Sequence, residues 1–361
     1  MMTDTRLWSD KAKTLTPYVA GEQPKHDRLC KLNTNENPFA PSPSVLDAIK
    51  NELAQDADKL RLYPDPNSDE LKEALAQFHG LDAKQVFVGN GSDEVLALVF
   101  AAFFMKSKPV LTADIGYSFY PVYANAFGVD LQTIALNDDF EVDVADYKHS
   151  ADGVILANPN APTGVLLSLE KIRQLISYHK DAVVVIDEAY IDYADEGSSC
   201  ISLINEFDNL VVTQTFSKSR ALAGLRVGAA FASVHLIAAL TAMKDSFNSY
   251  PLDKLAQAAA IASVKDVAYF QEKRKAVIAL REELTTALNS RGFDVLPSSA
   301  NFIFANPCHA VLSTFEIFEK LREQGVIVRH WQKDRIKDYL RITVGTSEQN
   351  ARLLEVLDTI L

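Results

Sequence analysis

Long hydrophobic runs are missing from this sequence. The longest, Val95 to Met105, falls well short of the roughly 20 residues that span a bilayer, and it reads as a buried helix. Basic clusters are missing too. The 36 Lys and Arg residues are scattered among 48 acidic ones, the net charge is −12, and no basic stripe offers a nucleic-acid footprint. Cysteine is scarce: Cys30, Cys200 and Cys308 are odd in number and far apart. That is neither a disulfide framework nor a zinc spacing, and it fits a reducing compartment. The charged opening from Met1 to Lys13 lacks an apolar core and does not read as a signal peptide. Internal repeats and low-complexity segments are absent as well. These gaps lead us to expect a soluble, cytoplasmic protein with no metal site and no nucleic-acid or membrane partner. The acidity has one further consequence. An anionic ligand must be held by locally placed cations, because the overall field repels it.

What is present is ordinary globular material, 48% hydrophobic and 23% charged over 361 residues, enough for two domains with sizeable cores. Residues 1–44 read as an arm, since Pro17, Pro24, Pro38, Pro41 and Pro43 break any long helix. A helix is expected over 45–57, capped by Ser44, with Leu46, Ile49 and Leu53 on one face. From about 86 to 240 short apolar strands alternate with helices. Val183 to Ile186 is a continuous β-branched run, as a strand covered on both faces requires. The pattern predicts an α/β fold with a mainly parallel, doubly wound sheet in a large domain spanning 45–255. After Pro251 the character changes. A helix-rich stretch from Leu252 to Leu288 precedes strand-like pieces near 293–296, 301–304, 326–328 and 340–344, with helices over 311–323 and 347–360. This predicts a smaller α+β domain over 256–361.

In open α/β sheets, ligands bind beyond the carboxyl ends of the strands. Gly91, Tyr117, Asn160, Asp187 and Lys218 all fall at or just after such ends. Gly89-Asn90-Gly91-Ser92-Asp93 runs from a strand into a helix, with Ser92 or Asp93 as the expected cap, and its exposed N–H groups can receive an anion. Lys218 stands between two apolar strand-like runs, with Arg226 following and Asp187 at an upstream strand end. A lysine flanked by Ser and Arg is ordinarily a solvated surface residue, but this position argues for a covalent catalyst. A lysine, a carboxylate, a stacking aromatic and an anion site are the four services that a pyridoxal-type cofactor needs.

These segments carry a resemblance. Ser217-Lys218 with Ala223-Gly224-Leu225-Arg226, Asp187-Glu188-Ala189-Tyr190 and Leu340 to Thr346 resemble the fold-type-I pyridoxal-phosphate aminotransferases. Leu32 to Pro38, Tyr63-Pro64-Asp65, Gly89 to Glu94, and Arg329 ahead of Arg341 bring the likeness closest to the histidinol-phosphate aminotransferase family, over nearly the whole chain. The resemblance implies pyridoxal 5'-phosphate as cofactor, with Lys218 as the Schiff-base lysine, Asp187 on the pyridine nitrogen and Tyr190 on the phenolic oxygen. It implies that Ser217, Arg226 and the Gly91–Ser92 backbone hold the phosphate and that Tyr117 stacks on the ring. Tyr63 would reach the phosphate of the neighbouring subunit, which makes a homodimer the working unit. Arg341 would bind the α-carboxylate of glutamate or 2-oxoglutarate. Arg329, Tyr18 and Asn35 would help read the second substrate, histidinol phosphate.

Two departures from the family pattern stand out. Ala161 occupies a position where Asn is usual, so either Asn160 takes over the contact with the phenolic oxygen or Tyr190 makes it alone. Asp114-Ile115-Gly116 precedes Tyr117 where a Pro-Thr pair is commoner. An aromatic-amino-acid aminotransferase and a phosphothreonine decarboxylase share the cofactor residues and are the rival readings. A ligand-sensing domain of a transcriptional regulator would need an added basic helix-turn-helix, for which the residues ahead of the first domain helix leave little room.

Overall fold

The computed structural model describes residues 5–18, 21–22, 29–54, 57–308 and 311–361. Strand β1 (Cys30–Lys31) lies in the N-terminal arm. The next seven strands are β2 (Val86–Asn90), β3 (Val110–Ala113), β4 (Leu131–Ile134), β5 (Gly153–Ala157), β6 (Val183–Asp187), β7 (Leu210–Thr215) and β8 (Val227–Ala232). They form one sheet in the order β2-β8-β7-β6-β5-β3-β4. All neighbours from β4 to β7 pair in parallel, whereas β8 runs against both β7 and β2. The β-branched runs explain the burial. Alternate side chains leave a strand on opposite faces, so Val184, Ile186 and Val212 enter one apolar cluster while Val183, Val185 and Val211 enter another. Each fully buried Val or Ile contributes about 1.5–3 kcal/mol of transfer free energy. The sheet is therefore a rigid platform whose carboxyl edge holds its position.

The helix Pro43–Ala54 begins with proline at its first position, where the missing N–H costs nothing, so Ser44 lies inside the first turn rather than before it. It packs on the helix Lys254–Lys265. Its inward face is Val45 and Ile49, while Leu46 and Leu53 face outward. The expected face is thus rotated by about one residue, because the partner helix, and not the local pattern, selects the buried stripe. Ala256, Ala259, Ala260 and Val264 of that partner belong to the same apolar cluster as the large sheet.

Beyond the 23-residue helix Val267–Asn289 come β9 (Asp294–Val295), β10 (Phe302–Asn306), β11 (Val326–Ile327), β12 (Arg329–His330) and β13 (Leu340–Thr343). Four of these make an antiparallel sheet in the order β12-β13-β10-β9. The helices Thr314–Glu323 and Ser347–Ile360 start with capping boxes, Ser313 with Glu316 and Thr346 with Gln349. β11 pairs in parallel with β1, so the arm is a strand of the C-terminal unit. The Leu32 N–H donates to the Ile327 carbonyl at 2.7 Å, and the Leu32 carbonyl accepts from Thr343 at 2.9 Å. Residues 33–37 are thereby carried across to the carboxyl edge of the large sheet. Among the described residues, no helix is long and apolar enough to cross a membrane.

Candidate active site

The opposed direction of β8 builds the first part of the site. Its amino end lies at the edge where the parallel strands finish, so Val227 pairs with Asn90, and Gly228 pairs with both Gly89 and Thr215. Arg226, just ahead of β8, adopts φ 52° and turns its guanidinium back over the Gly91 turn. There is no room for side chains between them. A Cβ on Gly91 (φ 80°) would lie 2.5 Å from Arg226 Nη2, and one on Gly228 would lie 2.4 Å from the Ser92 nitrogen. The helix begins at Gly91 and is not capped by a side chain, so its first N–H groups are free of intrahelical partners. Ser92 and Asp93 fall inside the first turn instead of before it. Asp93 pairs with Arg226 at 2.7 Å and accepts from the Tyr117 hydroxyl at 3.1 Å. Arg226 also donates to Ser217 Oγ at 3.4 Å. A helix N-terminus, a guanidinium and a hydroxyl facing one space can receive a phosphate.

Lys218 follows β7. Its Nζ donates to the Thr34 carbonyl at 3.1 Å and stands 5.7 Å from the centre of the Tyr190 ring. The arm grips the lysine's backbone as well, since Asn37 donates to the Lys218 and Ser219 carbonyls at 3.0 and 3.1 Å. Asp187, the last residue of β6, is buried, and each of its oxygens accepts one hydroxyl at 3.0 Å, from Tyr120 and from Thr213. Burial pushes its carboxyl up to about 6, against the pull of those two donors. Burial and the neighbouring Asp187 hold the Tyr120 hydroxyl far above its ordinary range, so it stays a donor. The Tyr117 ring stands edge-on to Tyr120 with centroids 5.4 Å apart.

Tyr190 is buried, and its hydroxyl accepts from the Asn35 carboxamide at 3.0 Å. Asn35 is itself buried behind Tyr190. Asn160 sends both amide protons into its own surroundings, to the Ile115 carbonyl and to Thr163 Oγ1, each at 3.0 Å. It has no donor left for a ligand's phenolic oxygen, and of the two candidates for that contact only Tyr190 retains one.

Arg341 and Arg329 sit opposite each other on β13 and β12. Arg341 Nη2 donates to the Asn33 carbonyl at 2.7 Å, one residue from the carbonyl that holds Lys218. Tyr18 stacks at a tilt on Phe119, 4.8 Å between centroids. Tyr63 stands apart from this group. It is 78% exposed and stacks on Tyr250 at 4.6 Å. An amine, a buried carboxylate, flat aromatic rings and an anion cradle on one edge can hold a planar heteroaromatic group that carries a phosphate.

Comparison with known proteins agrees with this chemistry. Residues 27–357 match the family Aminotransferase class I and II. The chain belongs to the class I and II aminotransferases. This aminotransferase is 62% identical over 364 residues to histidinol-phosphate aminotransferase 2 of Psychrobacter arcticus, a match covering 99% of this chain and 96% of the relative. It is 58% identical over 353 residues to histidinol-phosphate aminotransferase of Acinetobacter baylyi, covering 98% and 96%. Among solved structures it resembles histidinol-phosphate aminotransferase from Sinorhizobium meliloti in complex with pyridoxal-5'-phosphate. There the TM-score is 0.87 and the identity 25%, over 99% of each chain.

Several residues that meet at this edge were not singled out individually in the sequence. Thr213 reaches Asp187 because β6 and β7 pair in a register that sets the two residues side by side. Tyr120 comes from the helix after the Tyr117 loop, and Asn37, Thr34, Thr343 and Asn301 meet the site only through the arm. A strand-register prediction would find Thr213. Thr34, Asn37 and Thr343 lie inside the stretches Leu32 to Pro38 and Leu340 to Thr346, but their partners do not follow from those stretches, and Tyr120 and Asn301 have no local signal.

Proposed function

We propose that the protein is a pyridoxal-phosphate-dependent aminotransferase that exchanges an amino group between L-histidinol phosphate and 2-oxoglutarate, giving imidazole-acetol phosphate and glutamate in histidine biosynthesis. One observation carries this reading. Lys218, Asp187 and the Gly91–Arg226 cradle converge on one strand-end crevice, in a chain 62% identical to a relative of that name. When bound, the cofactor supplies an electron-accepting ring that makes the substrate's α-hydrogen acidic.

In this reading Lys218 would hold the cofactor through its amine, and the same amine would take the substrate's α-proton and return it. Asp187, whose oxygens each accept one hydroxyl from Tyr120 or Thr213, would use its remaining lone pairs to hold the ring nitrogen. Ser217, Arg226 and the Gly91–Ser92 N–H groups receive the phosphate, and Tyr117 covers the ring. Tyr190 donates to the phenolic oxygen without help from Asn160, whose role is to shape its loop. Arg341 takes the α-carboxylate of glutamate or 2-oxoglutarate, while Arg329 and Tyr18 meet the phosphate of histidinol phosphate. Asn35 acts through Tyr190.

The working unit in this reading is a cytoplasmic homodimer in which Tyr63 reaches the neighbouring site. The exposure of Tyr63, Phe247, Leu60 and Leu62 supports an interface on that face. The arm covers 1–44, and the large domain runs from 45 past 255 to Lys265, because the helix Lys254–Lys265 packs with the large sheet's cluster.

The test is glutamate formation from L-histidinol phosphate and 2-oxoglutarate in the presence of pyridoxal phosphate. Lys218→Ala is expected to lower it by about a thousandfold or more. A higher kcat/KM with phenylalanine would overturn the histidine-pathway assignment, and no transfer from any amino donor would overturn the reading itself.

A further inference from the structure

Arg329 and Arg341 are direct cross-strand partners in the β12–β13 ladder. Like charges in that arrangement destabilise a sheet. Neither arginine forms an ion pair among the described residues. Arg341 has one carbonyl partner through Nη2, and its buried Nε has none. What the two share is Trp331. The Arg329 guanidinium carbon lies 5.5 Å from the indole centre and that of Arg341 lies 5.3 Å from it. Trp331 follows β12 directly, two positions after Arg329, and its ring lies within reach of both guanidiniums. Phe302 adds a second ring 5.4 Å from Arg341. Burial, together with the nearby charge of Arg329, holds the Arg341 pKa below its ordinary value, so the pair carries an electrostatic cost that a carboxylate would usually relieve.

We propose that Trp331 is a positioning residue for the substrates' anionic groups: its indole serves both guanidiniums at once and holds two like charges at a fixed spacing, open to one incoming anion. The π system offers each cation a partial negative charge without presenting a carboxylate that would compete with the substrate. An aliphatic residue of similar size would fill the space but leave Arg329 to retreat into water. The inference rests on the reading that these arginines meet substrate carboxylate and phosphate.

Two measurements test it. The chain has two tryptophans, so Trp8→Phe leaves Trp331 as the sole reporter in the holoenzyme. Its emission is expected to change saturably on titration with 2-oxoglutarate and with inorganic phosphate, and to stop responding when Arg341→Leu is added. In steady state, Trp331→Leu is expected to raise KM for 2-oxoglutarate about threefold to tenfold while kcat stays within about twofold, and Trp331→Phe to recover most of the loss. Unchanged emission, or a Trp331→Leu KM within twofold of the parent, overturns the proposal. If Trp331→Leu does not fold, the emission titration and Trp331→Phe decide the matter. If the parent enzyme shows no transfer from L-histidinol phosphate yet the emission responds to both anions, the proposed function falls and the role of Trp331 stands.

Discussion

The Asn35 carboxamide donates to the Tyr190 hydroxyl at 3.0 Å. Asn35 is fixed on every other side. Its N–H donates to Thr343 Oγ1, its Oδ1 accepts from that same hydroxyl, and its carbonyl accepts from Asn301. It also sits at φ 57°, a left-handed conformation that asparagine tolerates better than most residues. A phenol that already accepts one hydrogen bond has its single proton left to give. With Ala161 carrying no polar side chain and Asn160 engaged elsewhere, that proton is what Tyr190 would offer the phenolic oxygen in the proposed reading. Asn35→Ala and Tyr190→Phe are therefore expected to shift the pH titration of the bound cofactor's absorbance in the same direction, by about one pH unit. The double variant should shift no further than Tyr190→Phe alone. If Asn35→Ala titrates like the parent while Tyr190→Phe does not, Asn35 has no positioning role.

Gly228→Ala tests the cradle from behind. The added Cβ would meet backbone, 2.4 Å from the Gly91 carbonyl carbon and the Ser92 nitrogen, and backbone cannot swing aside as a side chain can. We expect a loss of about 1–3 kcal/mol in denaturant stability and a cofactor affinity at least tenfold weaker by absorbance titration. Equal affinity with lowered stability would mean that the turn does not hold the phosphate.

Glu188 predicts a pH dependence. It is buried next to Asp187 and accepts from Ser199, the Cys200 N–H and Gln214. Burial outweighs these donors and pushes its carboxyl up to about 7, from an ordinary value of 4.5. The unfolded chain releases this proton near pH 4.5 and the folded chain releases it only near 7. Between those values the folded state binds the extra proton, so this group's contribution to stability is present below pH 4.5 and is lost as the pH rises to 7, on the order of 3 kcal/mol in all. Glu188→Gln should flatten that part of the stability curve in urea unfolding across pH 4.5–8. A variant curve parallel to the parent's would refute the assignment.

The sheet and its carboxyl edge were legible because buried parallel strands leave unbroken β-branched runs. Val183 to Ile186 marked where Asp187 had to emerge. Lys218 was found the same way, as the residue leaving a strand. Side-chain partnerships were less readable. Leu46 and Leu53 point outward although they share a helical stripe, since only the Lys254–Lys265 helix determines which stripe is covered. Asp93 reads as a helix cap and instead pairs with Arg226, 133 positions away. Asn35 reads as a substrate contact and instead stands behind Tyr190, 155 positions on. Such pairings depend on how the β8 reversal and the arm crossing close in space, and hydrophobic periodicity encodes neither.

The pairing of β1 with β11 also bears on how the protein is made. Asn35 leaves the ribosome before Asp187 and Lys218, and Thr343 leaves after them. At ordinary elongation rates roughly ten seconds separate Lys218 from Thr343. For most of that interval the arm has no strand to join, Asn35 has neither Asn301 nor Thr343 to fix it, and the crevice stands without one wall. A nascent chain can thus form its large sheet before it is able to close its active site, and cofactor capture waits for the C-terminal strands to emerge.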